Sequence, residues 1–138
     1  MQVIVEALRS EGGKGIKHGL LRRRQDPTET VFGPPEVPES LVIEEAGRSY
    51  WVRPGHGQKT GFFLDQRPNR SHVQEIARAG DRVLNLFSFT GGFSVAAALG
   101  GATTVVSADR SPSILADCRE QFPLNELDPE PHAFVSTD

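Results

Sequence analysis

The sequence predicts an α/β fold: the first three parallel strands of a doubly wound, Rossmann-like sheet, preceded by a small α+β segment. Three observations carry that prediction. An apolar run from Val83 to Leu86 empties into a polar double-glycine turn, Phe87-Ser88-Phe89-Thr90-Gly91-Gly92-Phe93. A helical pattern, Ser94-Val95-Ala96-Ala97-Ala98-Leu99, follows at once. A second apolar strand, Thr103 to Ala108, then ends on Asp109. Strand, glycine loop, helix, strand, acid is the layout of a nucleotide-type cofactor site on a parallel sheet.

The elements divide into two regions, residues 1–70 and residues 71–138. In the first, Val3 to Leu8 alternates weakly, as a strand or a helix start. Ser10 to Gly15 is a glycine-rich loop, and Arg22, Arg23 and Arg24 form a basic run. Asp26 to Ser40 holds Pro27, Pro34, Pro35 and Pro38 and reads as irregular. Leu41 to Glu45 and Arg48 to Val52 flank Ala46-Gly47 in a β-hairpin pattern.

In the second region, Val73, Ile76 and Ala77 fit a short helix, which Gly80-Asp81 ends before the first strand. Gly100-Gly101 stops the helix after the glycine loop. Ser111 reads as an N-cap with Pro112 in the first turn, where no amide is needed. That helix runs toward Phe122, and Pro123 ends or kinks it. Ala133-Phe134-Val135 makes the third strand. In the order 3-2-1 the first strand keeps one unpaired side, although Leu84, Leu86 and Phe87 are apolar on both faces, as a central strand requires. The expectation is therefore a piece of a longer protein, or a homodimer through that exposed sheet edge.

Bulk properties narrow the function classes. The chain has 138 residues, a formal net charge of -3 and one cysteine, Cys118. With a pI of about 5.8 it is no whole-surface nucleic-acid magnet, though a local basic patch stays open. A single cysteine builds neither an internal disulfide nor a cysteine zinc site. His18, His56, His72 and His132 are scattered without ligand spacing, so no metal is expected. No apolar stretch is long enough to span a bilayer and no export signal opens the chain, which predicts a cytoplasmic protein without membrane contact.

The glycine loop lacks the glycine-x-glycine-x-x-glycine spacing that holds a diphosphate, and no Walker lysine follows. A cofactor without a diphosphate, such as S-adenosylmethionine, fits better. Gly91 and Gly92 allow positive φ and close ligand approach; the plain alternative is a tight turn. A carboxylate at Asp109 can accept from both ribose hydroxyls at roughly 1.5–3 kcal/mol per charged bond, or it can cap the next helix beside Ser111. Asp138 ends the third strand in the matching position, where it can accept from an adenine amino group. Asn85 is expected to bond within the loop, and Cys118 to pack. Upstream, Gly57-Gln58-Lys59-Thr60-Gly61-Phe62-Phe63-Leu64-Asp65-Gln66-Arg67-Pro68-Asn69-Arg70 mixes cations, aromatics and amides. That mixture suits single-stranded RNA, or else a salt-bridged strand and turn with Asp65 pairing Arg67 or Arg70.

These residues together resemble the ribosomal RNA large-subunit methyltransferases, specifically the cytosine-5 enzymes of 23S ribosomal RNA. Gly57 to Arg67 resembles that family's Lys-Thr-Gly-aromatic-aromatic-Leu-Asp-Gln-Arg signature. Val83 to Phe93 resembles its first cofactor motif, Ser107-Ala108-Asp109-Arg110-Ser111 its acidic second motif, and Leu124-Asn125-Glu126-Leu127 its Leu-Asn-x-Leu turn. The resemblance runs from about Leu41 to Asp138. It implies a partial Rossmann-like methyltransferase sheet that binds S-adenosyl-L-methionine through Phe87, Ser88, Thr90, Gly91, Gly92, Asp109 and Asp138. It places Lys59, Thr60 and Phe62, with Arg67 and Arg70, toward the methionine end or an RNA substrate. In relatives a cysteine attacks cytosine carbon 6 before methylation at carbon 5. Cys118 does not match that nucleophile, which is expected beyond residue 138. Another RNA base such as guanine N7, a non-catalytic RNA-binding module on the same fold, and a dehydrogenase piece are the competing expectations.

Overall fold

The computed structural model describes residues 19–21, 29–32, 39–53 and 61–137. Two short strands come first, β1 (Gly19–Leu21) and β2 (Glu29–Phe32), paired antiparallel. β2 lies inside the proline-rich stretch expected to be irregular. Its four residues, Glu-Thr-Val-Phe, contain no proline, so every backbone amide is free to pair. Val3 to Leu8, Ser10 to Gly15, Arg22 to Arg24, Lys59, Thr60 and Asp138 lie outside the described residues.

β3 (Leu41–Glu45) and β4 (Arg48–Val52) form the predicted hairpin, in register from Leu41 opposite Val52 to Glu45 opposite Arg48. Ala46 and Gly47 both hold positive φ, +49° and +75°. Two left-handed residues make the turn whose twist matches that of the strands. Tyr50 and Val52 face inward while Trp51 faces out.

Two helices hold this hairpin. A single 3₁₀ turn (Leu64–Gln66) leads into α1 (Arg67–Ile76), with Pro68 in its first turn. α1 starts earlier than its apolar residues suggest and runs through position 70, so the boundary drawn there from the sequence falls inside a helix. Glu45, Arg48 and Arg70 are all buried at the α1 contact. Arg70 grips Glu45 with two bonds, Nε to Oε1 at 2.8 Å and Nη2 to Oε2 at 2.6 Å. Arg48 reaches Glu45, Gln74 and Ser71. On the other side, Gln121 and Asn125 bond the backbone N–H and C=O groups of Trp51 and Ser49. Two side-chain amides four positions apart thus stand in for a neighbouring strand and cover an open sheet edge.

The parallel sheet has the order β5-β6-β7: β5 (Arg82–Leu86), β6 (Thr104–Asp109) and β7 (Ala133–Ser136). The crossovers are α2 (Gly92–Leu99) and α3 (Pro112–Leu124). β6 is paired on both sides, and its Val105, Ser107 and Ala108 are buried. β5 has a partner on one side only among the described residues, and Leu84 and Leu86, two positions apart on one face of the strand, are 62% and 58% exposed. Apolar α2 fills the space between sheet and α1 with Val95, Ala97 and Ala98. Ser111 caps α3 by accepting from the Ile114 amide. Pro123 does not end α3 at Phe122; it sits in the last turn and forfeits one intrahelical bond there, and the helix closes one residue later at Leu124. No helix among the described residues is long and apolar enough to cross a membrane.

Candidate functional site

The loop between β5 and α2 has an unusual backbone. Phe87 and Phe89 hold φ of +56° and +50°, and Gly91 +79°. Left-handed aromatic residues are strained and need neighbours to hold them. Four bonds do so here. Ser88 N donates to Ala108 O (2.9 Å), Gly91 N to Ser88 O (3.0 Å), Phe89 N to Asp109 Oδ2 (3.0 Å), and the Thr90 hydroxyl to Gly61 O (3.3 Å). The glycine turn and the Asp109 carboxylate therefore meet at the carboxyl ends of adjacent parallel strands.

Asp109 serves both loops at once: its other oxygen, Oδ1, accepts from Ser111 N at 3.2 Å. Its cap-like alternative is thus present beside the loop contact. Thr137 N, one residue before Asp138, bonds the Asp109 carbonyl at 3.1 Å. The backbone at the end of β7 consequently runs beside the main chain of Asp109.

Next to the loop lies a cavity of about 240 Å³ lined by Phe62, Phe63, Gln66, Arg70, Phe87 to Thr90, Gly92 and Phe93. Phe63 meets Phe89 edge to face at 5.2 Å. Phe87 is 89% exposed at its rim. Ser88 is only 5% exposed, yet its Oγ has no hydrogen-bond partner among the described residues. A buried hydroxyl left unpaired costs about 1–3 kcal/mol, so one on a cavity wall is a place for a ligand atom. The N-cap of α2 is Gly91, which has no side chain to cap the helix, and the amide end of α2 opens from the same loop.

The structure redistributes several roles. Gly91 was expected to admit the ligand, but a Cβ there would lie 2.3 Å from Cys118 Sγ. Its missing side chain makes room for α3, while Gly92 lines the cavity. Arg70 does not stand at the surface for RNA. It is 2% exposed, and its guanidinium is taken by Glu45 and by the Phe63 carbonyl (2.9 Å) while covering the Phe62 ring at 4.2 Å. Phe62 is likewise buried, against Tyr50, and presents only a wall of the cavity. Arg70 pairs Glu45 rather than Asp65, and Asp65 accepts from Gln66. Arg67 is exposed at the start of α1. Asn85 bonds Ser94 Oγ in α2 (2.9 Å) instead of the loop, and Ser94 Oγ lies 2.7 Å from Ser107 Oγ. Cys118 packs against this pair. Burial pushes its thiol up to about 11, against smaller downward pulls from Ser107 and Ser94, so it is protonated at neutral pH and unsuited to attack.

A parallel sheet with a glycine turn and an acid at the tips of neighbouring strands defines the nucleotide-cofactor class of α/β proteins. Residues 7–138 match the family described as S-adenosylmethionine-dependent methyltransferase, and the chain belongs to that family. It is 42% identical over 119 residues to ribosomal RNA large subunit methyltransferase I of Escherichia coli K12, covering 84% of this chain and 30% of that protein. The Shigella flexneri protein of the same name is 39% identical over 133 residues, 96% of this chain and again 30% of the relative. The chain thus spans about 30% of the length of these curated relatives. A SAM-dependent methyltransferase from Streptococcus mutans superposes with a TM-score of 0.89 at 38% identity, covering 99% of this chain and 36% of that one. A methyltransferase complexed with S-adenosylhomocysteine gives the same figures. A tRNA m1G37 methyltransferase of M. jannaschii, 21% identical with a TM-score of 0.76 over 98% of this chain and 40% of its own, shares the fold.

Proposed function

We propose that this chain carries the S-adenosylmethionine-binding part of a methyltransferase that acts on ribosomal RNA, at carbon 5 of cytosine. The observation that carries the cofactor assignment is the union of loop and acid: Phe89 N on Asp109 Oδ2, with the unpaired Ser88 hydroxyl on the adjoining cavity. The residues present fit the cofactor. Asp109 offers a carboxylate to a ribose, Ser88 a free hydroxyl, and Phe87, Thr90 and Gly92 a mostly apolar wall. When bound, S-adenosylmethionine supplies an electrophilic methyl group on a sulfonium. These side chains bind and orient it and exclude water from it.

The ribosomal RNA substrate rests on the names of the relatives and on the Lys-Thr-Gly-Phe-Phe-Leu-Asp-Gln-Arg signature, in which Arg67 is the exposed cation of the described part. Calorimetric titration with S-adenosylhomocysteine, and with a nicotinamide dinucleotide as control, tests the cofactor. Binding of the first alone is expected, and binding of the second alone refutes it. Mass spectrometry of ribosomal RNA methylated by the protein reads the base. A methyl group on guanine rather than cytosine overturns the carbon-5 assignment.

A further inference from the structure

We infer that Asp109 is a positioning residue for the cofactor loop as well as a ribose acceptor: its carboxylate latches Phe89 in the left-handed conformation that sets the Ser88 and Thr90 wall. This deepens the proposed cofactor site and rests on it for the ligand.

A carboxylate has about four lone-pair positions on its two oxygens. Here two of them are taken by backbone amides, Phe89 N on Oδ2 and Ser111 N on Oδ1. Two stay available for the two hydroxyls of a ribose, so latch and grip operate together. The latch has a task, because neither Phe89 (+50°) nor Phe87 (+56°) adopts its φ without strain. The remaining restraints act elsewhere, through Ser88 N on Ala108 O, Gly91 N on Ser88 O, the Thr90 hydroxyl on Gly61 O and the edge-to-face contact of the Phe89 ring with Phe63. Only Asp109 holds the Phe89 amide itself among the described residues. The bond spans 20 positions and ties the loop after β5 to the end of β6. A side chain at the ribose end thereby sets the shape of the wall that meets the rest of the ligand.

A ligand without ribose hydroxyls separates the two roles. S-adenosylhomocysteine and its 2′,3′-dideoxy analogue are titrated into the chain and into its Asp109→Ala variant. In parallel, hydrogen exchange of the Phe89 amide is followed without ligand. The latch predicts exchange at least tenfold faster in Asp109→Ala. It also predicts that the dideoxy analogue, which has no hydroxyl for Asp109 to grip, loses at least tenfold in affinity. Equal affinity of the dideoxy analogue for both proteins overturns the inference, and so does unchanged Phe89 exchange. If neither adenosyl ligand binds the parent chain, the cofactor reading fails, and the exchange arm alone decides the latch. Should Asp109→Ala not fold, Asp109→Leu, which keeps the volume of the side chain and has no acceptor atom, is measured by the same exchange experiment with the same criterion.

Discussion

Gly91→Ala is the sharpest perturbation of this structure. Two costs add. Position 91 holds φ of +79°, and a side chain in that region costs about 1–2 kcal/mol. The new Cβ would also lie 2.3 Å from Cys118 Sγ and 3.2 Å from Cys118 Cβ, an overlap in a packed core worth about 1–3 kcal/mol. The total is roughly 2–5 kcal/mol, a large part of a typical domain's stability. With a denaturant slope of about 2 kcal/mol/M, the urea midpoint should fall by roughly 1–2.5 M. Cys118→Ala separates the terms. It removes the sulfur that the added methyl group strikes while leaving the backbone strain, so the double variant should be less unstable than the summed singles by about 1–3 kcal/mol. Urea unfolding of the four proteins reads that coupling. A Gly91→Ala curve that superposes on the parent, or strictly additive singles, refutes the packing of loop against α3.

The remaining predictions concern buried titratable groups. Burial raises the Glu45 carboxyl, but Arg70, Arg48 and Arg67 together outweigh it and hold the group below its ordinary 4.5. Its contribution is therefore full above about 4.5 and is lost as pH falls through the folded value. Glu45→Gln should cost roughly 3–5 kcal/mol at neutral pH by stranding two buried arginines, and should flatten the acid limb of stability; an unchanged acid limb counts against the triad. Burial lowers the His132 imidazole against a smaller upward pull from Asp128, and its Nδ1 accepts from Val105 N at 3.0 Å, which only the unprotonated nitrogen can do. That contribution is full above about 6.5 and is lost as pH falls through the depressed folded value, so thermal midpoints should drop on acidification, and His132→Gln should lessen the slope. Iodoacetamide should leave Cys118 untouched at mild alkaline pH, because burial holds its thiol near 11, and should label it after denaturation; labelling of the folded chain contradicts the packing.

Much of this molecule was legible in its chain, because local rules decide it. Periodicity marked β5, α2, β6 and β7, Ala46-Gly47 marked the hairpin turn, and Ser111-Pro112 marked the start of α3. Each rests on a few neighbouring residues whose steric and capping preferences act alone. The resemblance carried by Val83 to Phe93 and by Asp109 likewise pointed to the adenosyl-cofactor family to which the chain belongs. The tertiary structure decided what depends on partners distant in sequence. Arg70 reads from the chain either as an RNA-facing cation or as a partner of Asp65, because Glu45, which it grips, stands 25 positions away. Gly91 looked like an opening for ligand because Cys118 belongs to the next helix. Nothing in the spacing of Gln121 and Asn125 announced that their amides would finish the edge of β4. A charge, a glycine or an amide has a local propensity, but what it does is set by the atoms that folding brings within about 3 Å of it.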